Sequence, residues 1–93
     1  MIDEILFKQY QINMRMHRTD SAKVCLEAII KDFGFDILAD EAIFRLAELY
    51  QFTYKQNDKA SELYQDILVK HPDSLFVVEA RKRFRALRGD SIN

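Results

Sequence analysis

The side chains best suited to nucleophilic or metal chemistry are two histidines and one cysteine. His17 and His71 stand far apart, and neither has a second ligand at the spacing a metal site needs. Cys25 lies between Ala22 and Ile29 at helical spacing, which puts its thiol on an apolar face as an inert core group rather than a nucleophile. Asp36, Asp40 and Glu41 fall where a helix N-terminus favours negative charge. Gly34 and Gly89 are the only glycines, so no phosphate-cradling loop can be built. Arg88-Gly89-Asp90 spells an adhesion tripeptide, but a glycine that ends a helix before a polar tail accounts for it. The expectation is no catalytic residue, no metal and no cofactor, and a protein that binds or builds rather than an enzyme.

Composition points the same way. The chain has 93 residues, 48% of them hydrophobic and 31% charged, with two glycines and one proline. That is a globular balance with little material for the tight turns of a β fold. One small domain, residues 1–93, is expected. A net charge of −1 supplies no field toward nucleic acid or an anionic membrane. No apolar run approaches the ~20 residues of a membrane span, so neither nucleic acid nor membrane insertion is expected. A single cysteine says nothing about redox compartment. Acids precede the apolar residues in MIDEILFKQY, the reverse of a secretory signal.

Hydrophobic periodicity predicts five helices. The first covers Ile2 to about Met16, with Leu6, Phe7, Tyr10 and Met14 on one side. Ile5, Ile12 and Met16 line another side, and a helix apolar on two sides is normally covered on both. After Arg18-Thr19-Asp20, with Thr19 as cap, the second helix carries Ala22, Cys25, Leu26, Ile29, Ile30 and Phe33 to a stop at Gly34. The third runs from about Leu38 to Tyr54, with Ala39, Ala42, Ile43, Leu46, Ala47 and Tyr50 inward. Asn57 is the expected cap of the fourth, which buries Ala60, Leu63, Tyr64, Ile67 and Leu68 and ends before Pro72. Asp73 or Ser74 caps the fifth, with Phe76, Val77, Ala80, Phe84 and Leu87 inward and Gly89 closing it.

Slid along itself until Asp20 lies on Asp58, the sequence also places Ala22, Ile29, Glu41, Ala42 and Arg45 on Ala60, Ile67, Glu79, Ala80 and Arg83. Leu26 then falls on Tyr64 and Leu46 on Phe84. The chain reads as a degenerate repeat whose fifth helix closes a stack.

Within Asp40–Pro72, Ile43-x2-Leu46-Ala47-x2-Tyr50 is followed by Ala60-x3-Tyr64 and Pro72. This stretch resembles the tetratricopeptide repeat family, strongly here and more weakly over Glu4–Gly34. There Ala22-x3-Leu26 keeps the pattern, while Gly34 replaces proline and Tyr10 a small residue; the middle loop of the unit is also one residue long. The resemblance implies an all-α fold: five antiparallel helices in a tetratricopeptide-like α–α superhelix or solenoid of about two and a half repeats. It would comprise a degenerate first repeat (1–34), the best-formed repeat (35–72), a capping helix (73–88) and a tail (89–93). Pro72-Asp73-Ser74 and Glu79-Ala80-Arg81 are similar to the closing helix of tetratricopeptide proteins of bacterial cell envelopes. That implies periplasmic or envelope residence if the chain is a C-terminal part, and cytoplasmic residence if it is a whole.

Function is then expected to be that of a protein–protein interaction scaffold, taking a partner peptide or protein on a concave face. Glu41, Phe44, Arg45, Glu48 and Phe52 form the stripe opposite the predicted core of the third helix, with both rings as apolar anchors and Arg45 as a clamp. The alternative is a structural cap or assembly segment of a larger envelope protein. Arg81, Lys82, Arg83 and Arg85 make a basic face that could hold an anion, or simply be solvated. Ile5, Ile12 and Met16 would meet upstream repeats or a second copy in a homodimer.

Overall fold

The computed structural model describes residues 2–32 and 37–89. They form α1 (Ile2–Arg15), α2 (Thr19–Asp32), α3 (Ile37–Glu48) running on into a π-helical turn (Leu49–Thr53), α4 (Asn57–Lys70) and α5 (Val77–Leu87). No strand occurs among the described residues, and the chain is all-α. It divides into two compact units, Met1–Ala42 and Ile43–Asn93. The Gly34 helix stop and the tail beyond Gly89 lie outside the described residues.

In the first unit α1 packs along α2. The Phe7 and Tyr10 rings meet at 5.3 Å, and Ala22, Cys25, Leu26 and Ile29 are buried on the facing side of α2. The Cys25 thiol is buried and accepts a long contact from Asn13 Nδ2 at 3.9 Å, which fits a core group. The helices are joined through His17, whose φ of 59° is left-handed. His17 N–H donates to Met14 O (3.1 Å) and Arg18 N–H to Asn13 O (2.8 Å), the paired bonds that close a helix when the residue after its end turns left-handed. α2 begins at Thr19, and the Arg18 carbonyl accepts its first bond from Ala22 N–H at 3.0 Å. Thr19, expected as the cap, is therefore already inside the helix.

The second unit repeats this plan. The π-helical turn packs against α4, and α4 against α5. Lys55, at φ 58°, takes the place of His17. α4 opens on Asn57 with Gln56 in the cap position and no side-chain cap bond, so the expected Asn57 cap moves one residue into the helix. The boundaries recur at a constant interval: 15 with 53, 17 with 55, 19 with 57, and 32 with 70. Burial recurs too. Ala22 and Ala60, Leu26 and Tyr64, Ile29 and Ile67, and Ala42 and Ala80 are all fully buried. The internal repeat is thus one of structure as well as of residues.

A left-handed non-glycine residue costs roughly 1–2 kcal/mol, part of which glycine returns as extra freedom of the unfolded chain. His17→Gly and Lys55→Gly should each raise stability by about 0.5–1 kcal/mol. Urea denaturation followed by circular dichroism reads this directly, and a loss of stability in either variant would show that the side chain matters more than the backbone.

The third helix departs from expectation near its end. It becomes a π turn at Leu49, closed by Tyr54 N–H to Leu49 O at 2.9 Å. α4 stops as its sequence requires. His71 N–H still donates to Ile67 O (3.0 Å), and Ser74 N–H reaches His71 O (3.0 Å) around a turn with Pro72 at its second position, where proline's fixed φ suits the backbone. Ser74 Oγ accepts Phe76 N–H at 3.0 Å, while α5 itself starts at Val77 with Phe76 in the cap position. Neither Asp73 nor Ser74 caps that helix directly. Gly89, at φ 87°, ends it in the conformation glycine tolerates best.

Candidate functional site

α3 and the π turn bury Ile43, Phe44, Leu46, Ala47 and Leu49, a helix covered nearly all round. Phe44 stacks on Phe76 at 4.8 Å and meets the Tyr64 ring edge-on at 5.7 Å. This corrects the expectation of a partner-facing anchor: Phe44 is only 3% exposed. The turn before α5 supplies the ring that covers it.

Arg83, from the middle of α5, organises the polar side of the same cluster. Its Nη1 donates to Glu48 Oε2 (2.8 Å) and to the Tyr64 hydroxyl (3.3 Å), and its Nε donates to Glu79 Oε2 (3.1 Å). The guanidinium lies 4.8 Å from the Phe44 ring centroid and 5.7 Å from that of Phe52, within cation–π range. The expected basic patch therefore loses a member. Arg83 is clasped within the second unit, whereas Arg81, Lys82 and Arg85 are exposed.

Glu48 is shared. Its second oxygen accepts Arg45 Nη1 at 2.9 Å, and the Arg45 guanidinium spans the Phe44 and Phe76 rings at 5.7 and 5.8 Å. Tyr64 is fully buried and donates its hydroxyl to Gln51 Oε1 at 2.7 Å. Burial is the main reason its ionisation is pushed up, with the Arg83 bond and charge opposing that, so the phenol stays protonated at neutral pH and keeps its donor. Burial alone would make the Arg83 cation easier to discharge. Its bonds to Tyr64 and Glu48 outweigh that and hold it charged. A fixed cation, a shared carboxylate and a protonated phenol contain no activated nucleophile. This is a positioning network.

Of the expected groove residues, the second unit brings together Phe44, Arg45, Glu48 and Phe52. Glu41 belongs to the first unit, where its N–H donates to Asp40 Oδ1 at 2.8 Å. Phe52 does face outward, 56% exposed, on the π turn beside Arg83. Sequence reasoning placed Tyr64 and Phe76 inward but missed the Tyr64 hydroxyl and Gln51 as polar members and the stacking of Phe76 on Phe44. The Glu79–Arg83 pair at helical spacing was the available signal. Ile5, Ile12 and Met16 are exposed on α1, and Leu75 and Val78 on and before α5.

Among the described residues no group of three or more His, Cys, Asp or Glu side chains could hold a metal ion. No described helix is long and apolar enough to cross a membrane. No protein-family model matches the chain, and no curated protein or solved structure matches it either.

Proposed function

We propose that this chain is a tetratricopeptide-like helical repeat that acts as a protein–protein interaction scaffold with no chemistry of its own. The recurrence of hairpin boundaries and buried positions at one fixed interval supports the repeat reading. The observation that carries the function is Phe52, an exposed aromatic ring held on a π turn next to the fixed Arg83 cation. π turns are frequent at functional sites. Aromatic residues dominate the energetic centres of interfaces, and a ring whose position is set before binding loses less freedom on association. The partner is a peptide or protein segment whose apolar side chain covers Phe52, with an acidic group near Arg45.

Random peptides selected on the immobilised full chain test this. Selected peptides should bind Phe52→Ala more than tenfold more weakly, with helicity unchanged, and should bind Leu75→Ala normally. Equal binding to the Phe52 variant sinks the site. Failure to select any peptide sinks the scaffold reading itself.

A second reading, an assembly cap of a larger envelope protein, draws on the exposed Arg81, Lys82 and Arg85 of α5. A closing helix needs such an outer face to remain soluble.

A further inference from the structure

An apolar stripe outside the Phe52 site runs along α1 to the residue that follows it. Ile5, Ile12 and Met16 are 57%, 47% and 53% exposed. Their spacing puts them on one side of the helix, with Gln9 between them. That side is opposite the one bearing Phe7, Tyr10 and Met14, which are half-buried. Glu4, Lys8 and Arg15, all exposed, run along one flank of the stripe. The acid is at its N-terminal end and a base at its C-terminal end.

We infer that this face binds a second copy of the chain, α1 against α1 in antiparallel register. The charge order of the flank is self-complementary only in that register. Antiparallel pairing sets the Glu4 end of each helix against the Arg15 end of the other, twice by symmetry, as an isologous contact requires. Parallel pairing would place the two charged flanks on opposite sides of the seam, where neither meets the other. In the antiparallel arrangement Ile5 of each copy meets Met16 of the other, and Ile12 lies over Gln9. Lys8 falls between the two ion pairs, where its long stem reaches water. A polar residue such as Gln9 within an apolar seam lowers affinity but fixes register.

The size of the contact sets its strength. α1 has 14 residues, about 21 Å of helix, so one helix pair falls short of the ~1,600 Å² of a standard interface. The dimer is therefore expected to be weak and concentration-dependent. This contact is in the first unit and does not rest on the Phe52 reading.

Sedimentation velocity of the full chain from about 5 to 500 µM tests it, with circular dichroism of each variant as the folding control. The wild type should move from monomer to dimer over that range. Ile12→Glu should stay monomeric throughout with helicity intact. Glu4→Arg and Arg15→Glu should each weaken the dimer about tenfold, as two exposed pairs turn from attractive to repulsive. The double variant should recover wild-type affinity, and an equimolar mixture of the two single variants should form the heterodimer. A chain monomeric at the highest concentration overturns the proposal and assigns the stripe to another partner. So does a dimer that survives Ile12→Glu, or one that the double variant fails to restore.

Discussion

Replacing Tyr64 by alanine should lower folding stability by about 4 kcal/mol, within the ~3–5 kcal/mol range for deleting a buried aromatic ring. The ring is fully buried and packs edge-on against Phe44, so truncation leaves a cavity between three elements of the second unit. Its hydroxyl joins Gln51 on the π turn to Arg83 on α5, and alanine removes that link as well. Tyr64→Phe separates the two contributions: it keeps the ring and should cost only about 1–2 kcal/mol for the lost hydrogen bonds. A small domain has only ~5–15 kcal/mol in total, so the alanine variant should lose roughly a quarter or more of its stability. A loss below about 1.5 kcal/mol in urea denaturation, under half the usual cost of such a truncation, would show that the ring is not a principal support.

The same residue makes a prediction about alkali. The folded phenol ionises above its ordinary value of 10.0 because burial disfavours the anion. The unfolded chain therefore gives up this proton first as pH rises. The contribution to stability is complete below about pH 10 and is lost as pH climbs through the raised folded value. Tyr64→Phe should lack this component of the alkaline decline.

Arg83→Ala should cost about 2–3 kcal/mol, well above the roughly 0–1 kcal/mol typical of a surface ion pair. The Arg83 and Glu48 side chains are 24% and 26% exposed; removing the cation leaves a mostly covered carboxylate oxygen without its partner and takes one hydrogen bond from the buried phenol, which keeps its bond to Gln51. Arg45 still serves one Glu48 oxygen, which keeps the loss below that of a fully buried pair. Glu79 is more open and adds little. Arg83→Lys should recover less than half, because a single ammonium cannot reproduce the forked donors that reach Glu48, Tyr64 and Glu79 together. A double-mutant cycle with Glu48→Gln measures the coupling. A coupling near zero would reduce the network to surface decoration.

What could be read from the residues was the local grammar. Polar turns at 18–20 and 56–58, which the structure puts two residues earlier, the stop before Pro72, the closing glycine at Gly89 and the small residues Ala22 and Ala60 all act within a few positions of themselves. Their meaning needs no knowledge of distant neighbours. Phe44 was misplaced because helical spacing fixes only which residues share a face, not what covers that face. Its cover, Phe76, was legible as an inward ring, but it stands beyond the whole of α4, and periodicity does not say which distant face such a ring covers. The apolar run on α3, with Ile43 and Phe44 adjacent between Ala42 and Leu46, was a legible warning that more than one side is buried. Arg83 was assigned to a solvated basic face for the same reason. Counting charges along α5 cannot distinguish an arginine facing water from one reaching Glu48 on another helix. Phe52 was legible as an outward ring, but the π turn that carries it was not. A π turn follows from the balance of packing on either side of a helix rather than from any residue type.

That turn also changes the phase of the chain. In an α-helix each residue turns the next side chain by about 100°, and the wider π turn at Leu49–Thr53 departs from that step just before α4. Side chains after its start leave the face that the α3 period would give them. Leu49 stays buried where the turn begins, while Phe52 three residues on is 56% exposed. The wider turn is confined to one loop of backbone, and α4 beyond it still buries Ala60, Tyr64 and Ile67.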